Sequence, residues 1–69
     1  MQHIEVTSSN IKSIGYDAVA QELEVLFKNG GLFVYHDVPP EQYERLMGAD
    51  NVGKYFHSNI KNQYKTEKL

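Results

Sequence analysis

Glu22-Leu23-Glu24-Val25-Leu26-Phe27-Lys28-Asn29-Gly30-Gly31-Leu32-Phe33-Val34-Tyr35-His36 is the stretch on which the fold turns. In its first half Leu23, Val25 and Phe27 alternate with Glu22, Glu24, Leu26 and Lys28, so an extended chain has one apolar face and one largely charged face. Asn29-Gly30 then separates this run from a second apolar run, Leu32 to His36. Asn and Gly both tolerate the positive φ of a tight turn, so the two runs are expected to pair as an antiparallel hairpin.

On the N-terminal side, Ile11 to Tyr16 reads as a further strand, with Ile14 and Tyr16 on one side. Thr7-Ser8-Ser9-Asn10 before it is turn-forming, because these side chains bond their own nearby backbone. Ile4 and Val6 fit either a short strand or a segment lying across the sheet. On the C-terminal side, Val38-Pro39-Pro40 ends the last strand, since proline lacks the N–H of a sheet ladder. A proline here suits the first turn of a helix. Tyr43, Leu46 and Met47 continue it to Gly48, with Glu41 and Glu44 near its positive end. Asp50 or Asn51 can cap a second helix, whose Val52, Tyr55, Phe56 and Ile60 share one face. Past Gln63 the helical signal fades, and the last residues read as extended or frayed. The expected fold is α+β: a three-stranded antiparallel β-meander followed by two α-helices packed on one face, within a single domain spanning residues 1–69.

These pieces, in order, resemble the KTSC domain family, a small bacterial and phage family. The resemblance rests on Ser8-Ser9-Asn10-Ile11, Ile14-Gly15-Tyr16-Asp17, Leu23-Glu24-Val25-Leu26-Phe27, Gly30-Gly31, Phe33-Val34-Tyr35, Val38-Pro39 and Gly53-Lys54-Tyr55-Phe56, with Ile60 and Tyr64 behind them. Phe33 stands where the family's Tyr-x-Tyr motif has its first tyrosine, and Asn51 stands where the family has a serine. The family is named for its place at the C-terminus of some lysyl-tRNA synthetases and also occurs free-standing. The resemblance therefore implies an accessory interaction domain that contacts RNA.

Composition narrows the chemistry. Sixty-nine residues, 41% hydrophobic and 12% aromatic, suit a small folded domain with a thin core. There is no Cys, so there is no disulfide, thiolate metal site or Cys nucleophile. No apolar run reaches the ~20 residues of a membrane span, and Met1-Gln2-His3-Ile4-Glu5 lacks a signal peptide's pattern. A cytoplasmic protein with no membrane association is expected. His3, His36 and His57 show no metal-ligand spacing, and neighbours such as His36 and Asp37 point to opposite sides of a strand. No nucleophile elbow accompanies Ser8 or Ser9, and Gly30-Gly31 sits in a hairpin, not in a phosphate-cradling loop. Asp17, Glu22 and Glu24 read as solvated acids. No enzyme activity, metal or cofactor is expected.

The net charge of −2 hides a dipole. Residues 1–50 hold three basic residues against eight acids, a net of −5, whereas residues 51–69 hold four lysines against Glu67, a net of +3. Were the second helix to run far enough, Lys54, Lys61, Lys65 and Lys68 would form one stripe opposite Val52, Phe56 and Ile60. Such a stripe is either an ordinary solvated face or a contact surface for phosphates. Aromatic rings are open to the same two readings. Phe33 and Tyr35 share one strand face, and they either fill the core, with the tyrosine hydroxyls at its edge, or stack on bases. The resulting expectation is a non-catalytic binding module, with Lys54, Lys61 and Lys65 for phosphates and Tyr35, Tyr55 or Tyr64 for stacking on tRNA or single-stranded RNA. The alternative is a protein–protein interaction module, or a small phage or host accessory factor, that uses a sheet edge. A monomer or weak homodimer fits either.

Overall fold

The computed structural model describes all residues, Met1–Leu69. The chain folds into a five-stranded antiparallel sheet with two helices on one face. Its elements are β1 (His3–Glu5), β2 (Ile11–Asp17), β3 (Glu22–Phe27), β4 (Leu32–Tyr35), α1 (Pro40–Met47), α2 (Val52–Asn59) and β5 (Thr66–Lys68). Strands lie side by side in chain order, β1 to β5. The three-strand expectation is thus corrected to five. β1 adds to β2 through Ile4 opposite Ile14, and β5 adds to β4 through Lys68 opposite Phe33. Each added strand is three residues long and lies at a sheet edge, where backbone pairing to one neighbour holds it.

The hairpin of β3 and β4 is present, but its turn differs from a two-residue Asn-Gly loop. Phe27 N–H donates to Gly31 O (2.8 Å) and Gly30 N–H to Phe27 O (2.9 Å), leaving Lys28-Asn29-Gly30 as the loop. Only Gly30 takes the left-handed conformation (φ 95°), as in a type I turn closed by a bulge. Asn29 Oδ1 accepts from Gly31 N–H (2.9 Å) and holds the loop from the side.

Register sorts the side chains. Ile14, Leu23, Val25, Phe33 and Tyr35 fall on the helix-covered face, because Ile14 opposes Val25, Val25 opposes Phe33 and Leu23 opposes Tyr35. They join Ile11, Val38, Leu46, Val52, Phe56 and Ile60 around one core. Pro40 opens α1 where its missing N–H costs nothing. Asn51 caps α2 by accepting from Lys54 N–H (3.0 Å). Asp37 turns the chain into α1 with φ 60°, and Val38 then enters the core. The Tyr16 hydroxyl donates to the Val38 carbonyl, and the Tyr16 ring stacks on Tyr43 at 4.5 Å. None of the helices is long and apolar enough to cross a membrane.

Candidate nucleic-acid interface

Four aromatic rings run in a chain under the β3–β4 hairpin. Phe33 meets Phe27 edge-on at 5.6 Å, Phe27 meets Phe56 at 5.7 Å, and Phe56 meets Tyr35 at 5.3 Å. The outer pair, Phe27 and Phe33, is half-buried, whereas Tyr35 is 5% exposed. Burial raises the Tyr35 hydroxyl above its ordinary pKa. Tyr35 is therefore a core ring in this structure and presents no face for stacking; Phe27 and Phe33 are the partly exposed rings of the four.

Above these rings lies a cleft of about 300 Å³, lined by Phe27, Phe33, Tyr35 and Phe56 and rimmed by Asn10, His57, Lys61, Asn62 and Thr66. It shares Phe27 and Phe33 with a shallower hollow of about 540 Å³ that includes Lys68. It shares Asn10 and Phe27 with a third of about 290 Å³ that includes Lys28. Together they form one groove around the hairpin end of the sheet. Lys28, Lys61, Lys68 and His57 line it, and no Asp or Glu does.

The expected site residues divide. Lys61 lies on the cleft with Tyr35 beneath it. Lys54 and Tyr55 line a separate hollow with Ala49 and Asn59. The Tyr55 hydroxyl donates to Gln42 Oε1, and Gln42 Nε2 donates to the Tyr64 hydroxyl (3.2 Å), so Tyr55 braces α1 against α2 and Tyr64 braces it against the segment after α2. Lys65 precedes β5; its carbonyl accepts from His36 N–H (2.8 Å) and its side chain lies outside the groove. The four-lysine stripe does not form. α2 ends at Asn59, Ile60 turns into the core, and Asn62 takes φ 110°. Lys28, Phe27 and Phe33 are groove residues that helical spacing could not find. A sign of them was the three-residue adjacency of Phe27, Lys28 and the turn.

The opposite, uncovered face of the sheet carries a polar network. His3 Nε2 lies 2.6 Å from Glu24 Oε1, and His3 Nδ1 lies 2.8 Å from Ser13 Oγ. His36 Nδ1 lies 3.3 Å from Glu22 Oε2. Its Nε2 lies 2.7 Å from Glu67 Oε1 but off the line of a hydrogen bond. These ties span β1 to β3 and β3 through β4 to β5. Gly15 makes the first of them fit, since a Cβ there would sit 2.8 Å from the His3 ring. Glu22 and Glu24 are thus occupied by histidines, and Asp17 accepts from Val19 N–H (3.0 Å) and Ala20 N–H (3.2 Å). No three such side chains converge as a metal-ligand set.

A family model for the KTSC domain matches residues 7–64. The chain belongs to the KTSC domain family. The crystal structure of a KTSC domain protein from Yersinia pestis superposes with a TM-score of 0.95 at 35% identity, covering 99% of this chain and 96% of that one. An uncharacterised protein of Stutzerimonas stutzeri is 41% identical over 64 residues, 93% of this chain and 90% of its own. A lysine–tRNA ligase of Nostoc sp. strain PCC 7120 is 39% identical over 61 residues, which is 88% of this chain but 11% of the ligase. The domain thus occurs both as nearly the whole of a small protein and as a minor part of a large enzyme.

Proposed function

We propose that this KTSC domain is a single non-catalytic binding module for single-stranded RNA, held in the groove at the hairpin end of the sheet. One observation carries the reading: on a chain with net charge −2, the connected groove presents three lysines and His57 over half-buried phenylalanines with no Asp or Glu side chain. Single strands are bound by such grooves, with cations along the phosphates and aromatic rings under the bases. The close contacts between basic and acidic side chains all join histidine to glutamate, and no groove lysine lies within 4.0 Å of a carboxylate. The related segment of a lysine–tRNA ligase supports an RNA setting, and a cytoplasmic location goes with that ligand. Catalysis is disfavoured at the one place that resembles it. Ser13, His3 and Glu24 are linked in a row, but Ser13 is 5% exposed and no concavity opens beside it.

Fluorescence anisotropy of labelled single-stranded RNA and tRNA, at low and near-physiological salt, tests the reading. Saturable binding is expected to weaken with salt at a logarithmic slope of about −2, from roughly 0.7 per phosphate contact. Lys28→Glu, Lys61→Glu and Lys68→Glu combined should abolish it without a large change in melting temperature. Unchanged affinity in that variant would refute the groove.

A second reading, a protein-partner or self-association module, is favoured by the edges. β1 and β5 are three-residue strands with one side unpaired, open to an added strand. Sedimentation showing a dimer, or a protein recovered at fixed stoichiometry, would favour it.

A further inference from the structure

The three concavities of the groove are not equivalent. The hollows around Lys28 and Lys68 are shallow surface, whereas the Lys61 cleft descends to the Phe27–Phe56 ring pair and the buried Tyr35. Its volume of about 300 Å³ is at the small end of ligand pockets, which suits one planar ring system and excludes a duplex. Apolar rings form its floor, and two groups that can carry positive charge, His57 and Lys61, stand on its rim. Both side chains are exposed, and neither is in an ion pair. Asn62 shares the rim from a backbone held at φ 110°, an unfavourable conformation of a kind that concentrates at ligand-binding positions. Its amide offers a donor and an acceptor toward the mouth of the cleft. An aromatic floor, a cationic rim and a neutral amide together match the three parts of a nucleotide: a π-face, a phosphate and a polar base edge.

We infer that the Lys61 cleft binds one unpaired nucleotide, its base against the partly exposed Phe27 and Phe33 and its 5′-phosphate at His57 and Lys61. This inference deepens the RNA reading and rests on it. The neighbouring hollows then carry the flanking phosphates past Lys28 and Lys68.

Adenosine 5′-monophosphate, adenosine and inorganic phosphate, each titrated into the ¹⁵N-labelled chain and followed by amide chemical shifts, test this, with a decameric single-stranded RNA alongside. The monophosphate is expected to shift the Gly53, His57, Lys61 and Asn62 amides saturably. It should bind about tenfold or more tighter than either adenosine or phosphate, because base and phosphate are held together. Lys61→Gln should weaken the monophosphate about fivefold or more, as loss of one charge-assisted contact does, and Phe33→Leu should weaken it comparably while keeping an apolar side chain. Lys12→Gln, on the bulge of β2, should leave it unchanged. If Phe33→Leu fails to fold, Lys61→Gln still decides. Shifts absent from the cleft while the decamer binds would overturn this inference and leave the RNA reading standing. Equal affinity for phosphate alone would reduce the cleft to an anion site and also overturn it. If neither monophosphate nor decamer binds, both readings fall together.

Discussion

The two faces of the sheet solve different problems with the same strands. The covered face buries Ile14, Leu23 and Val25 completely under α1 and α2, and leaves its hairpin end uncovered as an aromatic, lysine-rimmed groove. The open face has no second layer and is tied together by His3–Glu24 and by His36 between Glu22 and Glu67. Apolar burial is non-directional and scales with area, so the covered face supplies the stability. Hydrogen bonds and ion pairs in partial contact with water contribute little net energy but are directional, so the open face supplies alignment of the edge strands. The open face carries Glu22, Glu24 and Glu67, whereas no Asp or Glu side chain lines the groove, so the two faces differ in charge.

That division is broken most forcefully from the covered face. Leu23→Ala removes a side chain with no exposed surface and should cost about 2–5 kcal/mol. In a domain of this size each kcal/mol lowers the melting temperature by roughly 4–8 °C, so thermal denaturation should show a collapse of tens of degrees or no transition at all. A change on the open face should do much less. Gly15→Ala puts a Cβ 2.8 Å from the His3 ring and 3.0 Å from the Gln2 carbonyl, displacing β1. Its expected cost is about 1–3 kcal/mol, the range for overpacking. Hydrogen exchange should accelerate in β1 while β3 stays protected, and RNA affinity should hold; equal acceleration throughout would contradict the division. Asn51→Ala, at the N-cap of α2, should cost about 1 kcal/mol and weaken protection in the first turn of that helix.

The smallest effect is in alkaline solution. Burial raises the Tyr35 hydroxyl, and Tyr16 is raised as well, first by desolvation and then by the charges of Glu41, Asp17 and Tyr64. Below the unfolded value of about 10 both states keep the proton and stability is insensitive to these groups. Between that value and the raised folded one, the folded state holds more protons, so stability falls as pH rises. Denaturant midpoints should decline above about pH 10, and Tyr35→Phe should flatten part of that decline.

Much of the molecule was legible along the chain, and what escaped shares a cause. The β3–β4 hairpin, the Pro40 start and the Asn51 cap are local: alternation, a missing N–H and a side-chain acceptor act within a few residues. β1 and β5 are not local. His3-Ile4-Glu5 and Thr66-Glu67-Lys68 have no alternation long enough to mark a strand, and only the hydrogen bonds offered by β2 and β4 make them extended. The same reason hid the groove. Lys68 reaches it because β5 returns beside Phe33, and Lys28 because the turn closes at Gly31, whereas helical spacing grouped Lys61 and Lys68 with Lys54 and Lys65 and left out Lys28.

Sequence alone determined the α+β class, the central hairpin, a proline start for the first helix, an Asp50 or Asn51 cap for the second, the absence of cysteine chemistry and the excess of positive charge after residue 50, because each follows from residue type and near-neighbour spacing. Tertiary structure alone decided that the sheet has five strands, that Tyr35 is core while Phe33 stays half-exposed, that His3 and His36 meet glutamates across strands, and that three lysines from distant segments line one groove. Those outcomes depend on register and on where a helix stops, and both are settled by burying the most apolar surface over the whole chain at once.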